Sequence, residues 1–224
     1  MPSFQPFTDP LARGEAEAAE PLARPDRSTF EAHLARRRYG RFTLTEAIRP
    51  GWRLDVVPQE GYRFDIYSDP RSSARLPAII ASVSSERLFE TFVALLEPLG
   101  ETCDVILETS HEHRGDHRGE HVRERIERTI LESVLWDFED LLTNDGCTGI
   151  AVMHPQRPLE VQLDEHKLLI VYAASREPFA DILRRQGLPR NDSMRVISQG
   201  EHLHTSNTRF ARQYTSICHR LTAE

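Results

Sequence analysis

The sequence predicts an α+β (mixed α/β) fold: an antiparallel-rich sheet with helices packed on its faces. Three observations predict it. Short apolar runs of strand length are bounded by Pro-Gln-Glu-Gly, His-Pro and Asp-Glu-His segments, the punctuation of hairpins. Longer segments with a 3.6-residue apolar period separate some of those runs, as crossover helices do. A strand, a Ser-headed helix and a histidine pair also occur twice, at 78–113 and 168–204. Ser85 matches Ser175, Phe89 matches Phe179, His111 matches His202 and His113 matches His204. This suggests an internal duplication of a strand-strand-helix-strand-helix unit.

The elements follow in order. Residues 1–27 carry Pro2, Pro6, Pro10, Pro21 and Pro25 and few apolar anchors, the composition of a disordered arm. The globular part is expected over 28–224, as one domain with two fused halves, 53–143 and 147–222. Ser28 and Glu31 form a capping-box pattern for a helix to about Arg38. A helical turn is expected at 43–48, ended by Pro50-Gly51. Strands are expected at 53–57, 62–68 and 77–83.

A helix at 85–98 buries Leu88, Phe89, Phe92, Val93 and Leu96 on one face. Gly100 ends it and a strand at 102–109 follows. Residues 119–143 read as one long amphipathic helix, with Val122, Ile126, Ile130 and Val134 on its stripe. Asn144-Asp145-Gly146 stops that helix. Strands at 147–153, 159–163 and 167–173 come next, the last two joined by a hairpin turn at Asp164–His166. A helix at 176–186 capped by Ser175, a strand at 193–198 and a final helix capped by Ser206 complete the chain.

Composition narrows the function classes. The chain has 224 residues and a formal net charge of -7, which argues against a general nucleic-acid binder. The basic stretch Ala35–Arg41 reads as a docking surface for acidic groups rather than a nucleic-acid site. No basic start followed by an apolar run opens the chain, and no stretch of membrane-spanning length is apolar. The three cysteines, Cys103, Cys147 and Cys218, show no CxxC spacing and read as free thiols. A cytoplasmic, soluble protein is expected. The phosphate-loop, dinucleotide, zincin, serine-hydrolase and dithiol signatures are absent.

Histidines supply the first constellation. Along a strand, residues i and i+2 share a face with Cα atoms ~7 Å apart, so His202 and His204, or His111 and His113, could chelate one metal. His117 and His121 have the corresponding helical spacing at the start of the long helix. Turn residues Asp145, Glu165, His166 and Lys167 form a second candidate set for ligand binding or proton transfer, and Glu165, His166 and Asp145 are also the candidates for a further ligand beside His202 and His204. These features lead to three expectations. The first is a non-enzymatic interaction protein that binds an unknown protein partner or itself. The second is a metal-binding protein or metal-dependent enzyme, with a divalent metal such as zinc at His202 and His204, joined by His111 and His113. The third is a small-ligand binder at the Asp164–Lys167 end of the sheet.

Overall fold

The computed structural model describes residues 26–68, 75–111 and 119–223. The expected arm falls almost entirely on residues 1–25 and so lies outside the described residues, as do His113 and His117. The first helix, α1, spans Arg27–Ala35. Its cap is Asp26, whose carboxylate accepts from the Thr29 amide at 2.9 Å. Ser28 instead donates to that carboxylate, because an acceptor on the residue just before the helix satisfies its open N–H groups best.

Three short strands follow: β1 (Arg38–Tyr39), β2 (Phe42–Thr43) and β3 (Ile48–Pro50). They replace the helical turn expected at 43–48. Tyr39, Phe42, Leu44 and Ile48 pack with Ile197 in a small separate core, which overrides a weak local helical preference. The strand expected at 53–57 is also absent. Leu54 there adopts φ 51°, a left-handed turn conformation that no strand tolerates.

The main sheet draws strands from both halves of the chain. They are β4 (Gly61–Ser68), β5 (Arg75–Ser82), β6 (Thr102–Thr109), β7 (Gly119–Glu127), β8 (Thr148–Met153), β9 (Leu159–Leu163) and β10 (Leu168–Ala173). Their spatial order is β4-β5-β10-β9-β8-β6-β7, and every pairing is antiparallel. Between β5 and β6 the chain passes through α2 (Ser85–Leu95) and a 3-10 turn at Glu97–Leu99. After β7 come α3 (Arg128–Asp137) and α4 (Glu139–Asn144). After β10 comes α5 (Glu177–Arg185), and the last helix is α6 (Thr208–Ala223).

Side chains from these five helices form the main core with one face of the sheet. Leu88, Phe89, Phe92, Phe179 and Leu183 meet Val105, Leu107, Val152, Val161 and Val171 there. Period-two alternation sends the other residues of the same strands to the opposite face. That face has its own cluster, in which Tyr67, Ile80, Ile170 and Tyr172 pack with Met194 and Val196.

The long helix expected at 119–143 is corrected. Its first third is β7, and only 128–144 is helical. Strand β7 pairs with β6 from Glu127↔Thr102 to Gly119↔Thr109, with a bulge near Cys103–Val105. Arg125 takes φ 55° at that irregularity, where its amide donates to Asp104 at 2.7 Å. The segment Gly119-Glu-His-Val-Arg-Glu-Arg-Ile-Glu127 carries too few apolar residues to define a period. Pairing with the backbone of β6 decides its form. His121 therefore lies in a strand, within 3.4 Å of Thr222 on α6, and its helical partnership with His117 is excluded.

Three smaller corrections concern the C-terminal part. Arg176 rather than Ser175 occupies the position before α5, with no side-chain cap. Residues 193–198 form no strand; a 3-10 turn at Ile197–Gln199 stands there, because Met194 and Val196 cover the sheet face rather than extend the sheet. Asn207, not Ser206, caps α6, accepting from the Arg209 and Phe210 amides at 2.9 and 3.2 Å. Strand β11 (His202–His204) leaves the main sheet and pairs with β3. The two proposed repeat units thus share a strand, a helix and a buried phenylalanine (Phe89 and Phe179). They differ after the helix, where one continues into β6 and the other does not.

Candidate metal centre

Strand β11 places the first two side chains. It runs antiparallel to β3, with His202 opposite Pro50 and His204 opposite Ile48. The period of two puts both imidazoles on one face, with ring centroids 5.1 Å apart. A third ring comes from the β9–β10 hairpin. There the Asp164 carbonyl accepts from the Lys167 amide at 3.0 Å, and the Asp164 carboxylate accepts from the Leu168 amide at 2.7 Å. Lys167 closes the turn at φ 61°, a left-handed position that usually favours glycine. This turn brings His166 to 4.8 Å from His202 and 4.9 Å from His204, again between ring centroids.

Each of the three rings is oriented by its own oxygen acceptor. His166 Nδ1 lies 2.9 Å from Asp164 Oδ2, His202 Nδ1 2.8 Å from the Gly200 carbonyl, and His204 Nδ1 2.7 Å from the Gly146 carbonyl. A carbonyl oxygen only accepts, so Nδ1 of His202 and His204 donates. A neutral imidazole that donates from Nδ1 carries its lone pair on Nε2. One ligand atom from each residue lies within 4.8 Å of those from the other two. His166 is buried, His202 half-buried and His204 exposed at the rim. Desolvation lowers the His204 pKa, and the nearby His166 and His202 rings add to this. The Gly146 hydrogen bond and Glu165 act in the opposite direction. The net lowering favours the neutral form, the one that ligates.

Glycine at 146 makes the rim. A Cβ there would stand 2.4 Å from the Ala47 carbonyl and 2.9 Å from that of Thr205. The Gly146 amide donates to the Thr205 carbonyl at 2.9 Å, and the Thr205 amide to Ala47 at 2.8 Å. Three backbones therefore meet at one point, and this contact sets the height of His204 above the end of β8.

The turn after α4 builds a second group. Asp145 is fully buried. Its Oδ2 accepts from Thr148 Oγ1 at 2.6 Å and lies 2.8 Å from His111 Nε2. Its Oδ1 accepts from the Cys147 amide at 3.3 Å. His111, Asp145 and Cys147 offer ligand atoms within 4.8 Å of one another. Beneath them the buried Lys167 amine donates to the Thr148 carbonyl at 2.7 Å. Burial pushes that amine down to about 8, against the pull of Asp164, Asp145 and Glu165.

The candidate residues thus divide. Of Glu165, His166 and Asp145, the three turn residues expected as candidates beside His202 and His204, it is His166 whose ring joins that pair. His111 joins Asp145 instead of the other pair. Glu165 is half-buried, close enough to raise the His204 pKa. Sequence reasoning placed Asp164 in the hairpin turn without giving it a role at His166, and missed Cys147. The Asp-x-His spacing within a hairpin could have flagged Asp164, since a carboxylate two residues away can reach the ring. Nothing near Cys147 distinguishes it from a structural thiol. No family model, curated protein or solved structure matches the chain.

Proposed function

We propose that this protein binds a divalent metal of the zinc class through His166, His202 and His204, with a further coordination position open for water or substrate. One observation carries the reading: three imidazoles converge while each Nδ1 is held by an oxygen. Three imidazoles on one tetrahedral zinc, at ~2.0–2.1 Å per nitrogen, would have ring centroids roughly 5 Å apart. The observed separations of 4.8, 4.9 and 5.1 Å match that spacing. The Asp164–His166 contact is the carboxylate–histidine support typical of ligating imidazoles. Three protein ligands with an open position is the pattern of catalytic rather than structural zinc. A bound ion there would polarise water or a carbonyl. Glu165 is the candidate to take the proton from such a water.

Metal analysis of the untagged protein tests this. One zinc per chain is expected at these histidines. The double substitution His202→Ala, His204→Ala should abolish that binding while circular dichroism remains native. Unchanged stoichiometry in the double variant, or no binding by the native chain, would overturn the reading.

A second reading, an interaction protein, is supported by the sheet margin. Strand β7 is the last strand of the sheet, and Val122 on it is 55% exposed, with Glu120 and Glu124 exposed on either side. An exposed edge offers backbone groups to another strand, from a partner or a second copy. Sedimentation across a concentration series tests self-association, and Val122→Glu should weaken it.

A further inference from the structure

The turn that supports His204 carries a second donor set, and we infer that His111, Asp145 and Cys147 hold a second cation, bound through thiolate, imidazole and carboxylate. The inference is separate from the three-histidine reading, because none of its ligands belongs to that group. The geometry is partly assembled. His111 Nε2 and Asp145 Oδ2 already lie 2.8 Å apart, and Cys147 Sγ falls within 4.8 Å of the ligand atoms of both. Donor atoms on one tetrahedral zinc lie roughly 3.3–3.8 Å apart, given bonds of ~2.0–2.3 Å. To close the set, His111 and Asp145 open from hydrogen-bond to co-ligand spacing and the Cys147 side chain moves in toward them.

Charge supports the assignment. Asp145 has no solvent contact; its charge is met by Thr148, the Cys147 amide, His111 and the nearby Lys167 amine, so an ion enters by replacing the His111 proton rather than by meeting a bare carboxylate. Thr148 Oγ1 and the Cys147 amide fix the carboxylate in place, as outer hydrogen bonds do for a ligating group. A divalent ion with one carboxylate and one thiolate is electrically neutral, which suits a buried place. The balance is simple. The ion takes the position of the proton between His111 Nε2 and Asp145, that proton moves to Nδ1, and the thiol releases one proton to solvent. Mixed sulfur and nitrogen donors favour zinc, cobalt(II) or cadmium over magnesium or calcium.

The two sites meet at one turn. Asp145 and Cys147 flank Gly146, whose carbonyl orients His204. Filling the second site would stiffen the strut on which the first depends.

Cobalt(II) titration of the full chain tests the inference. Expected are two ions per chain and a near-ultraviolet thiolate-to-cobalt charge-transfer band. Cys147→Ser should remove the band and one ion, leaving the visible bands of a histidine site. One ion with no thiolate band would overturn the inference and leave the three-histidine reading standing. One ion with the band, persisting in His202→Ala, His204→Ala, would overturn that reading and keep the inference. If Cys147→Ser does not fold, alkylation mapped by mass spectrometry on the native chain decides. Cadmium should protect Cys147, while alkylation of Cys147 unaffected by saturating cadmium would overturn the inference.

Discussion

At the scale of single residues, Asp164 carries the clearest demand. Its carboxylate does two jobs, holding His166 Nδ1 and the Leu168 amide. Asp164→Asn keeps the turn but exchanges a charged acceptor for a neutral one. Zinc affinity at the three-histidine site should fall about 10–100-fold, with the melting temperature in the absence of metal little changed. Isothermal titration reads the first quantity and calorimetry the second.

Glu160 makes a different kind of statement. It is buried on β9, where desolvation and then the nearby Glu108 charge raise its pKa, and a hydrogen bond from Gln162 opposes them; the net result is about 7, from 4.5. The folded state therefore holds this proton more tightly than the unfolded chain does. Below about 4.5 the carboxyl costs nothing. As pH rises from there through about 7 the unfolded chain ionises first, and stability is lost. The cost above that window is on the order of 3 kcal/mol. Glu160→Gln should thus stabilise the protein at pH 8 and have little effect at pH 4. Urea denaturation at both values checks it, and equal effects would refute the assignment.

At the scale of elements, α2 inserts Phe89 and Phe92, and α5 inserts Phe179, into the same core. Phe89 meets Trp136 edge to face at 4.8 Å, and both Phe89 and Phe179 are buried. Alanine at either position should cost ~3–5 kcal/mol, since each leaves a cavity that close-packed strands cannot fill. The conversion of 119–127 from expected helix to strand has its own test. An edge strand pairs only every second amide, so hydrogen exchange should alternate along β7. Uniform protection across 119–127 would instead mark a helix.

At the scale of the whole molecule, the candidate metal centre joins pieces distant in sequence. His166 comes from a hairpin in the main sheet, and His202 and His204 from a strand paired with residues 48–50. An ion bridging them ties the small β3–β11 sheet to the main one. Binding only to the folded state stabilises by RT ln(1 + [L]/Kd), about 2.7 kcal/mol at a hundredfold excess over Kd. Zinc should therefore raise the melting temperature of the native chain by more than that of His202→Ala, His204→Ala, in which only the His111, Asp145 and Cys147 group remains. Among the described residues no helix is long and apolar enough to cross a membrane.

The sequence by itself determined whatever depends on local periodicity and turn chemistry. The β9–β10 hairpin was legible from two apolar runs around Asp164–His166, and β6 from an apolar run after Gly100. The shared face of His202 and His204 was legible only as what their spacing would give on a strand; the strand itself comes from pairing with β3. Where local signals were weak, tertiary contacts decided. Strand β7 took its form from β6, residues 43–50 from the small core around Phe42 and Ile48, and residues 193–198 from the sheet face they cover. The candidate site lies mostly in that second class. No sequence spacing links residue 166 to 202, or 111 to 145. They meet because β6, β8 and the β9–β10 hairpin end at one edge of an antiparallel sheet, and because Gly146 lets the 47 and 205 backbones approach closely enough to bring β11 over that edge.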